Sequence, residues 1–174
     1  MERMAAAAAA PSIVARVITV SDRAAAGARE DLSGPLAVSA LLSAGCHVDS
    51  TVIPDGADEV TEAIAAAVAS GARLVVTSGG TGIGPRDRTP EGTRPLLERE
   101  LPGIAEALRR NPSPGALLSR GTAGVARGPH GGVLVVNLPG STGGVRDGMA
   151  LLVPLLSHAM AQLDGGDHPT REAP

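Results

Sequence analysis

The sequence predicts an α/β protein, a three-layer sandwich on a mostly parallel central sheet. Three observations lead there. Apolar, β-branched runs recur at 13–20, 74–76 and 133–136, with a further strand pattern at 47–53. Stretches with apolar residues at helical spacing separate them, as in strand–helix–strand units. Each run empties into polar residues or glycine, and in a parallel sheet those carboxyl ends collect at one edge, where ligands bind.

Taken in order, residues 1–11, with six consecutive alanines and Pro11, are expected to form a disordered tail. Their alanine run lacks the stronger apolar stretch and cleavage pattern of a signal peptide. The domain is expected over 12–164. The strand at 13–20 ends at Ser21-Asp22-Arg23, polar residues at the ligand edge. A helix should start near Ser33 or Gly34 with Pro35 in its first turn and stop at Gly45. Ser33 serves either as that helix cap or as a ligand contact. The second strand ends at Pro54-Asp55-Gly56, where Asp55 either caps the next helix or places a carboxylate at the edge. That helix, 58–70, carries Val60, Ile64, Ala67 and Val68 on one face and closes at Gly71.

The third strand runs into the most informative stretch, 77–91: Thr77-Ser78-Gly79-Gly80-Thr81-Gly82-Ile83-Gly84-Pro85-Arg86-Asp87-Arg88-Thr89-Pro90-Glu91. Strand, glycine loop and helix start bring backbone N–H groups to a helix N-terminus, a good setting for phosphate. Thr89 is the expected N-cap and Pro90 the first helical residue. Hydroxyls from Thr77, Ser78 and Thr81, with Asp87 between Arg86 and Arg88, complete an inventory for phosphates and a divalent ion. A P-loop would require lysine, and all 15 basic residues are arginine. A dinucleotide fingerprint read from Gly80 and Gly82 would require glycine where Pro85 stands.

Pro95 should break the helix after the loop, and a short helix is expected over 104–110. A turn at 111–114 leads to another short helix through Leu117-Leu118. The stretch 119–125 is read as a polar edge, where Arg120 is either an ordinary exposed arginine or a phosphate contact through its planar fork of donors. The strand at 133–136 ends in Asn137-Leu138-Pro139-Gly140-Ser141, a second glycine loop. The last helix shows Val145, Met149, Leu152, Leu156, Ala159 and Leu163 on one face, with a kink at Pro154. Residues 165–174 should be a flexible tail.

Composition removes several classes of function. Phe, Tyr and Trp are all absent, so no base or ring can stack on an aromatic side chain. Net charge is −3 without a basic cluster, which argues against a nucleic-acid surface. Without lysine there is no Schiff-base chemistry. A single cysteine, Cys46, allows no internal disulfide, which suits a reducing cytoplasm. His47, His130, His158 and His168 lack metal-ligand spacing. No apolar run reaches a membrane span.

From about 14 to 163 the chain resembles the Mog/MoaB group, the molybdopterin adenylyltransferases of molybdenum-cofactor synthesis. The marks are Ser21-Asp22-Arg23, Asp31-Leu32-Ser33-Gly34-Pro35, Ile53-Pro54-Asp55, the 77–91 stretch, Glu100-Leu101-Pro102-Gly103, Leu118-Ser119-Arg120 and Asn137-Leu138-Pro139-Gly140-Ser141. The resemblance implies a cytoplasmic homotrimer that uses Mg²⁺ to transfer AMP from ATP to the terminal phosphate of molybdopterin. Metal insertion would then fall to a separate protein. A molybdopterin-binding trimer that carries its ligand without adenylating it is the alternative. Asp87 and Asp55 match the carboxylates tied to catalysis and metal. Gly79, Gly80, Thr81 and Gly82 match the phosphate loop, and Ser21, Ser119, Asn137 and Ser141 match pterin or nucleotide contacts. Asp22, Ser33, Thr77, Arg120, Pro139 and Gly140 join them as candidate binding residues. Arg86 looks like the Mog branch, while Thr142-Gly143 departs from the commoner small residue after Pro-Gly-Ser.

Overall fold

The computed structural model describes residues 12–110 and 113–166. The tail at 1–11, all of 165–174 except Gly165 and Gly166, and the turn residues Asn111 and Pro112 lie outside the described residues.

Among the described residues six strands form one sheet: β1 (Val14–Val20), β2 (His47–Ile53), β3 (Leu74–Ser78), β4 (Leu97–Glu100), β5 (Ala123–Gly128) and β6 (Gly131–Leu138). Their order is β2-β1-β3-β6-β5-β4. The first four in that order are parallel, and β5 and β4 add an antiparallel edge. The chain leaves β1 towards β2 on one side and β3 towards β6 on the other. A sheet that reverses direction in this way opens a crevice at the carboxyl ends of the strands.

Helices α1 (Asp22–Ala25), α2 (Gly34–Ser43), α3 (Ala57–Ala69), α4 (Thr89–Thr93), α5 (Pro102–Arg109), α6 (Pro114–Leu117), α7 (Thr142–Leu152) and α8 (Leu156–Leu163), with 3-10 turns at Arg94–Leu96 and Val153–Leu155, complete the described elements. Alternation along each strand sends side chains to two cores. Val17, Leu74, Val76, Leu134 and Val136 pack with Leu41 of α2, Met149 and Leu152 of α7 and Leu156 of α8. Ile18, Val75, Val133 and Val135 pack with Val60, Ile64 and Ala67 of α3 on the other face. Burying a side chain such as Ile64 contributes roughly 1.5–3 kcal/mol, so α3 is held chiefly by its apolar face. Gly45 and Gly71 end their helices with φ of 82° and 93°, the left-handed geometry that favours glycine.

Several expectations need correction. The 119–125 stretch is not only a polar edge, because β5 begins at Ala123; β4 was not anticipated either. Thr89 is the first residue of α4 rather than its cap, and its hydroxyl donates to the Gly79 carbonyl at 2.9 Å. Asp55 caps no residue of α3, which starts after Gly56 without a side-chain cap. Pro154 does interrupt the last helix, through a 3-10 turn at Val153–Leu155.

Candidate functional site

Three strand ends meet backbone to backbone. Gly79, at φ 106°, lies so close to β1 that a Cβ there would fall 2.3 Å from the Val20 carbonyl oxygen. A Cβ on Gly140 would fall 3.1 Å from the Gly79 Cα, and the Gly79 N–H donates to the Leu138 carbonyl at 3.1 Å. The glycines are therefore required by the close approach of β1, β3 and β6. Ser78 Oγ adds a bond to the Pro139 carbonyl at 3.2 Å.

An acidic pair joins the ends of β1 and β2. The Asp22 N–H donates to Asp55 Oδ2 at 2.8 Å, and the Asp55 N–H donates back to Asp22 Oδ1 at 3.0 Å. Arg86 crosses from the glycine loop and binds Asp22 through Nε and Nη2, both at 3.0 Å, with a further bond from Nη2 to the Asp55 carbonyl. The guanidinium holds the Asp22 carboxyl below its ordinary range, and the carboxylate in turn raises Arg86. Asp22 is thus an anion engaged by Arg86, with its backbone fixed by Asp55. Ser21 Oγ caps α1 by accepting from the Ala24 N–H at 3.3 Å.

The 79–88 loop folds back on itself around Asp87. Gly84 N–H donates to Asp87 Oδ2 at 2.8 Å, and Asp87 N–H donates to the Gly84 carbonyl at 3.1 Å. A Cβ on Gly82 or Gly84 would stand 2.8 or 2.7 Å from that carboxylate oxygen, so a side chain at either position would displace the Asp87 carboxylate. A Cβ on Gly80 would lie 3.2 Å from Asp55 Oδ1. Both carboxylates therefore approach the same glycine loop.

A third acid was not among the candidates. Asp31 accepts four hydrogen bonds: from Thr19 Oγ1 at 2.6 Å, the Ser33 and Gly34 N–H groups at 3.0 and 2.9 Å, and Ser33 Oγ at 3.1 Å. Burial pushes its pKa up, but the donated hydrogen bonds outweigh it and hold the carboxyl below its ordinary value. Asp31, not Ser33, satisfies the first amides of α2, and Ser33 makes no side-chain cap. Asp two residues before a Ser-Gly-Pro helix start is a turn-and-cap signal that could have been read.

A cleft of about 1080 Å³ opens over these loops. Ser21, Asp22, Ser33, Asp55, Gly79, Gly80, Thr81, Gly82, Asp87, Ser119, Pro139, Gly140 and Ser141 all line it. Three candidates do not. Thr77 and Asn137 are buried behind the wall, where Asn137 Nδ2 donates to Thr77 Oγ1 at 2.9 Å and Thr93 Oγ1 at 3.0 Å, and Oδ1 accepts from the Thr122 N–H at 3.2 Å. Their role here is to join β3, β6, α4 and the start of β5. Arg120 also lies outside the lining: its guanidinium is turned to the Gly82 and Asp87 carbonyls and the Glu91 carboxylate. The opposite wall, Ala107 and Leu108 of α5 with Ala116 of α6, was not foreseen. Those residues are generic helix formers, and only tertiary packing brings them to the cleft.

Among the described residues, six carboxylates line the cleft (Asp22, Glu30, Asp31, Asp55, Asp87, Asp147) against three guanidiniums (Arg23, Arg29, Arg110). His47, His130 and His158 are not among the lining residues.

The chain matches the family model described as a probable molybdopterin binding domain over residues 16–158. It is 42% identical over 148 residues to a molybdopterin adenylyltransferase of Pyrococcus furiosus, covering 83% of this chain and 87% of that protein. A molybdenum cofactor biosynthesis bifunctional protein of Synechococcus elongatus is 43% identical across 91% of this chain, which spans only 50% of that longer relative. The solved structure of the tungsten cofactor synthesizing protein MoaB of Pyrococcus furiosus superimposes with a TM-score of 0.81 at 40% identity, covering 89% of this chain and 99% of that one. The fold, the glycine loops and these likenesses agree: this chain belongs to the molybdopterin-binding domain family of molybdenum-cofactor biosynthesis.

Proposed function

We propose that the cleft transfers the AMP moiety of ATP to the terminal phosphate of molybdopterin, releasing pyrophosphate. The observation that carries the reading is the approach of Asp55 and Asp87 to one glycine loop at the meeting point of three strand ends. The relative named molybdopterin adenylyltransferase supports this reading over that of a non-catalytic carrier.

In the reaction a phosphate oxygen of molybdopterin bonds to the α-phosphorus of ATP. The bond from that phosphorus to the bridging oxygen breaks, and pyrophosphate leaves with its electron pair. The attacking group belongs to the substrate, so the protein needs no serine, cysteine or lysine nucleophile. Its contribution is alignment and electrostatics. Amides of the 80–82 segment bind phosphate oxygens, the Gly79 N–H being committed to the Leu138 carbonyl. Ser21, Ser33, Ser119 and Ser141 offer hydroxyl contacts around the pterin and nucleotide.

The donor set suits Mg²⁺. Asp55 and Asp87 each have Oδ2 engaged by a backbone N–H, at Asp22 and Gly84, and among the described residues neither Oδ1 accepts a hydrogen bond. Among the described residues no group of three His, Cys, Asp or Glu forms a cage of its own. Magnesium commonly binds through one or two carboxylates together with substrate phosphates. A cleft with more carboxylates than guanidiniums also needs a cation to accept a polyanion. When bound, Mg²⁺ would neutralise charge on the phosphates as the leaving group departs; Asp87 and Asp55 would hold it.

A homotrimer, a cytoplasmic setting and a separate metal-insertion partner belong to the same proposal and rest on the resemblance. Among the described residues no helix is long and apolar enough to cross a membrane. The test is incubation with ATP, Mg²⁺ and molybdopterin. Pyrophosphate and adenylylated molybdopterin in equal amounts are expected. Pterin retained without pyrophosphate would overturn adenylyl transfer in favour of the carrier.

A further inference from the structure

We infer that Arg120 is a positioning residue that holds the 82–87 loop closed and so fixes the Asp87 carboxylate; the inference rests on the proposed role of Asp87. One guanidinium spans both ends of the loop. Nε donates to the Gly82 carbonyl at 2.7 Å and Nη2 to the Asp87 carbonyl at 2.6 Å, while Nη1 pairs with Glu91. The Arg120 N–H also donates to the Thr81 carbonyl at 2.8 Å. Between these ties the loop stands in solvent, with Ile83 71% exposed.

Glu91 makes the device specific. Its Oε1 is engaged by Arg120, and its Oε2 is buried with no hydrogen-bond partner among the described residues. A carboxylate left half unsatisfied in this way is stabilised chiefly by the guanidinium it anchors, with its own backbone N–H and the Arg88 charge adding less. Three acceptors in different directions match the planar five-donor fork of arginine and not the compact ammonium of lysine. Three of the five Arg120 N–H donors are thereby committed to the loop and to Glu91. Ser119, which lines the cleft, precedes Arg120 and sits with Oγ 3.4 Å from Thr81 Oγ1, so ligand contact and loop closure share one segment.

The experiment uses the full chain carrying Arg120→Lys, Arg120→Ala or Glu91→Gln, with Asp87→Asn alongside. Arg120→Lys should lower kcat about tenfold or more, because a displacement of about 1 Å far from the chemistry can cost a hundredfold. The KM for molybdopterin should stay near the wild-type value. Amide hydrogen exchange should quicken across 82–88 and remain unchanged in Thr142–Leu152. Methylguanidinium should restore part of the kcat of Arg120→Ala, and Glu91→Gln should show a smaller kcat loss of the same kind. Raised KM with unchanged kcat would make Arg120 a substrate contact and overturn the inference. Unchanged exchange over 82–88 in Arg120→Lys would overturn it whatever the activity. Wild-type turnover in Asp87→Asn would instead remove the role of Asp87, and the exchange result would still decide whether Arg120 holds the loop. Should Arg120→Ala fail to fold, Arg120→Lys and Glu91→Gln carry the same readouts.

Discussion

The chain leaves the sheet through two glycine loops, after β3 and after β6, and the first is tied to more of the chain than the second. The second spans only 139–141: Ser141 Oγ accepts from the Gly144 N–H at 3.1 Å to start α7, and Ser78 Oγ donates to the Pro139 carbonyl at 3.2 Å. The first spans 79–88 and is tied to distant segments: to Asp22 by Arg86, to Leu138 by Gly79, and to Arg120 across its ends. The short loop starts α7 through its own neighbours and rests against the end of β3. The long loop carries Asp87, and its geometry belongs to the tertiary structure, so changes far along the chain can move it.

The contrast can be broken most severely at Gly79, where the two loops touch. Gly79→Ala must place a Cβ against the Val20 backbone at a positive φ, and it should cost about 3 kcal/mol with loss of turnover. Urea unfolding with parallel assays checks this; unchanged stability would mean that the strand ends do not need that approach. Ser141→Ala removes the local cap and should cost about 1 kcal/mol, read as a shifted urea midpoint, with faster hydrogen exchange confined to the first turn of α7. Spread of that exchange into 82–88 would show that the loops are not independently held.

The smallest effect should come from pH. The Arg120 hydrogen bond keeps the Glu91 carboxyl below the ordinary glutamate value of 4.5, since it outweighs the opposing effect of burial. A folded-state pKa below the unfolded one gives stability that is fully present above about 4.5 and lost as pH falls through the lower folded value. For this partly exposed pair the loss should stay under about 1 kcal/mol. Exchange in 82–88 should therefore rise in acid more steeply in wild type than in Glu91→Gln, while the neutral Ser141 cap should hold the second loop unchanged.

The same contrast explains what could be read from the sequence. β1, β3 and β6 were legible because two-sided burial demands continuous apolar runs, whereas the exposed edge strand β2 was legible from its β-branched residues and the Pro-Asp-Gly turn that ends it. The helix stops at Gly45 and Gly71 and the gathering of polar strand ends followed from local rules. β4, Leu-Glu-Arg-Glu, is short and charged along an exposed edge, so it carries no strand-like pattern. β5 was hidden by its small residues, which packing explains: a Cβ on Gly124 would lie 2.5 Å from the Arg99 carbonyl oxygen. At the site, Asp55 and Asp87 were legible as acids after strand ends. The engagement of Asp22 by Arg86, the burial of Thr77 with Asn137, and the turning of Arg120 away from the cleft depend on partners 15 to 64 positions away. No local window contains them.

The most direct test of the central claim compares wild type with Asp87→Asn in a single turnover of ATP, Mg²⁺ and molybdopterin, following adenylylated product and pterin affinity together. If Asp87 acts on the reacting phosphate, turnover should fall about a hundredfold or more while pterin affinity stays near wild type. Equal rates of product formation in the two proteins would contradict the account.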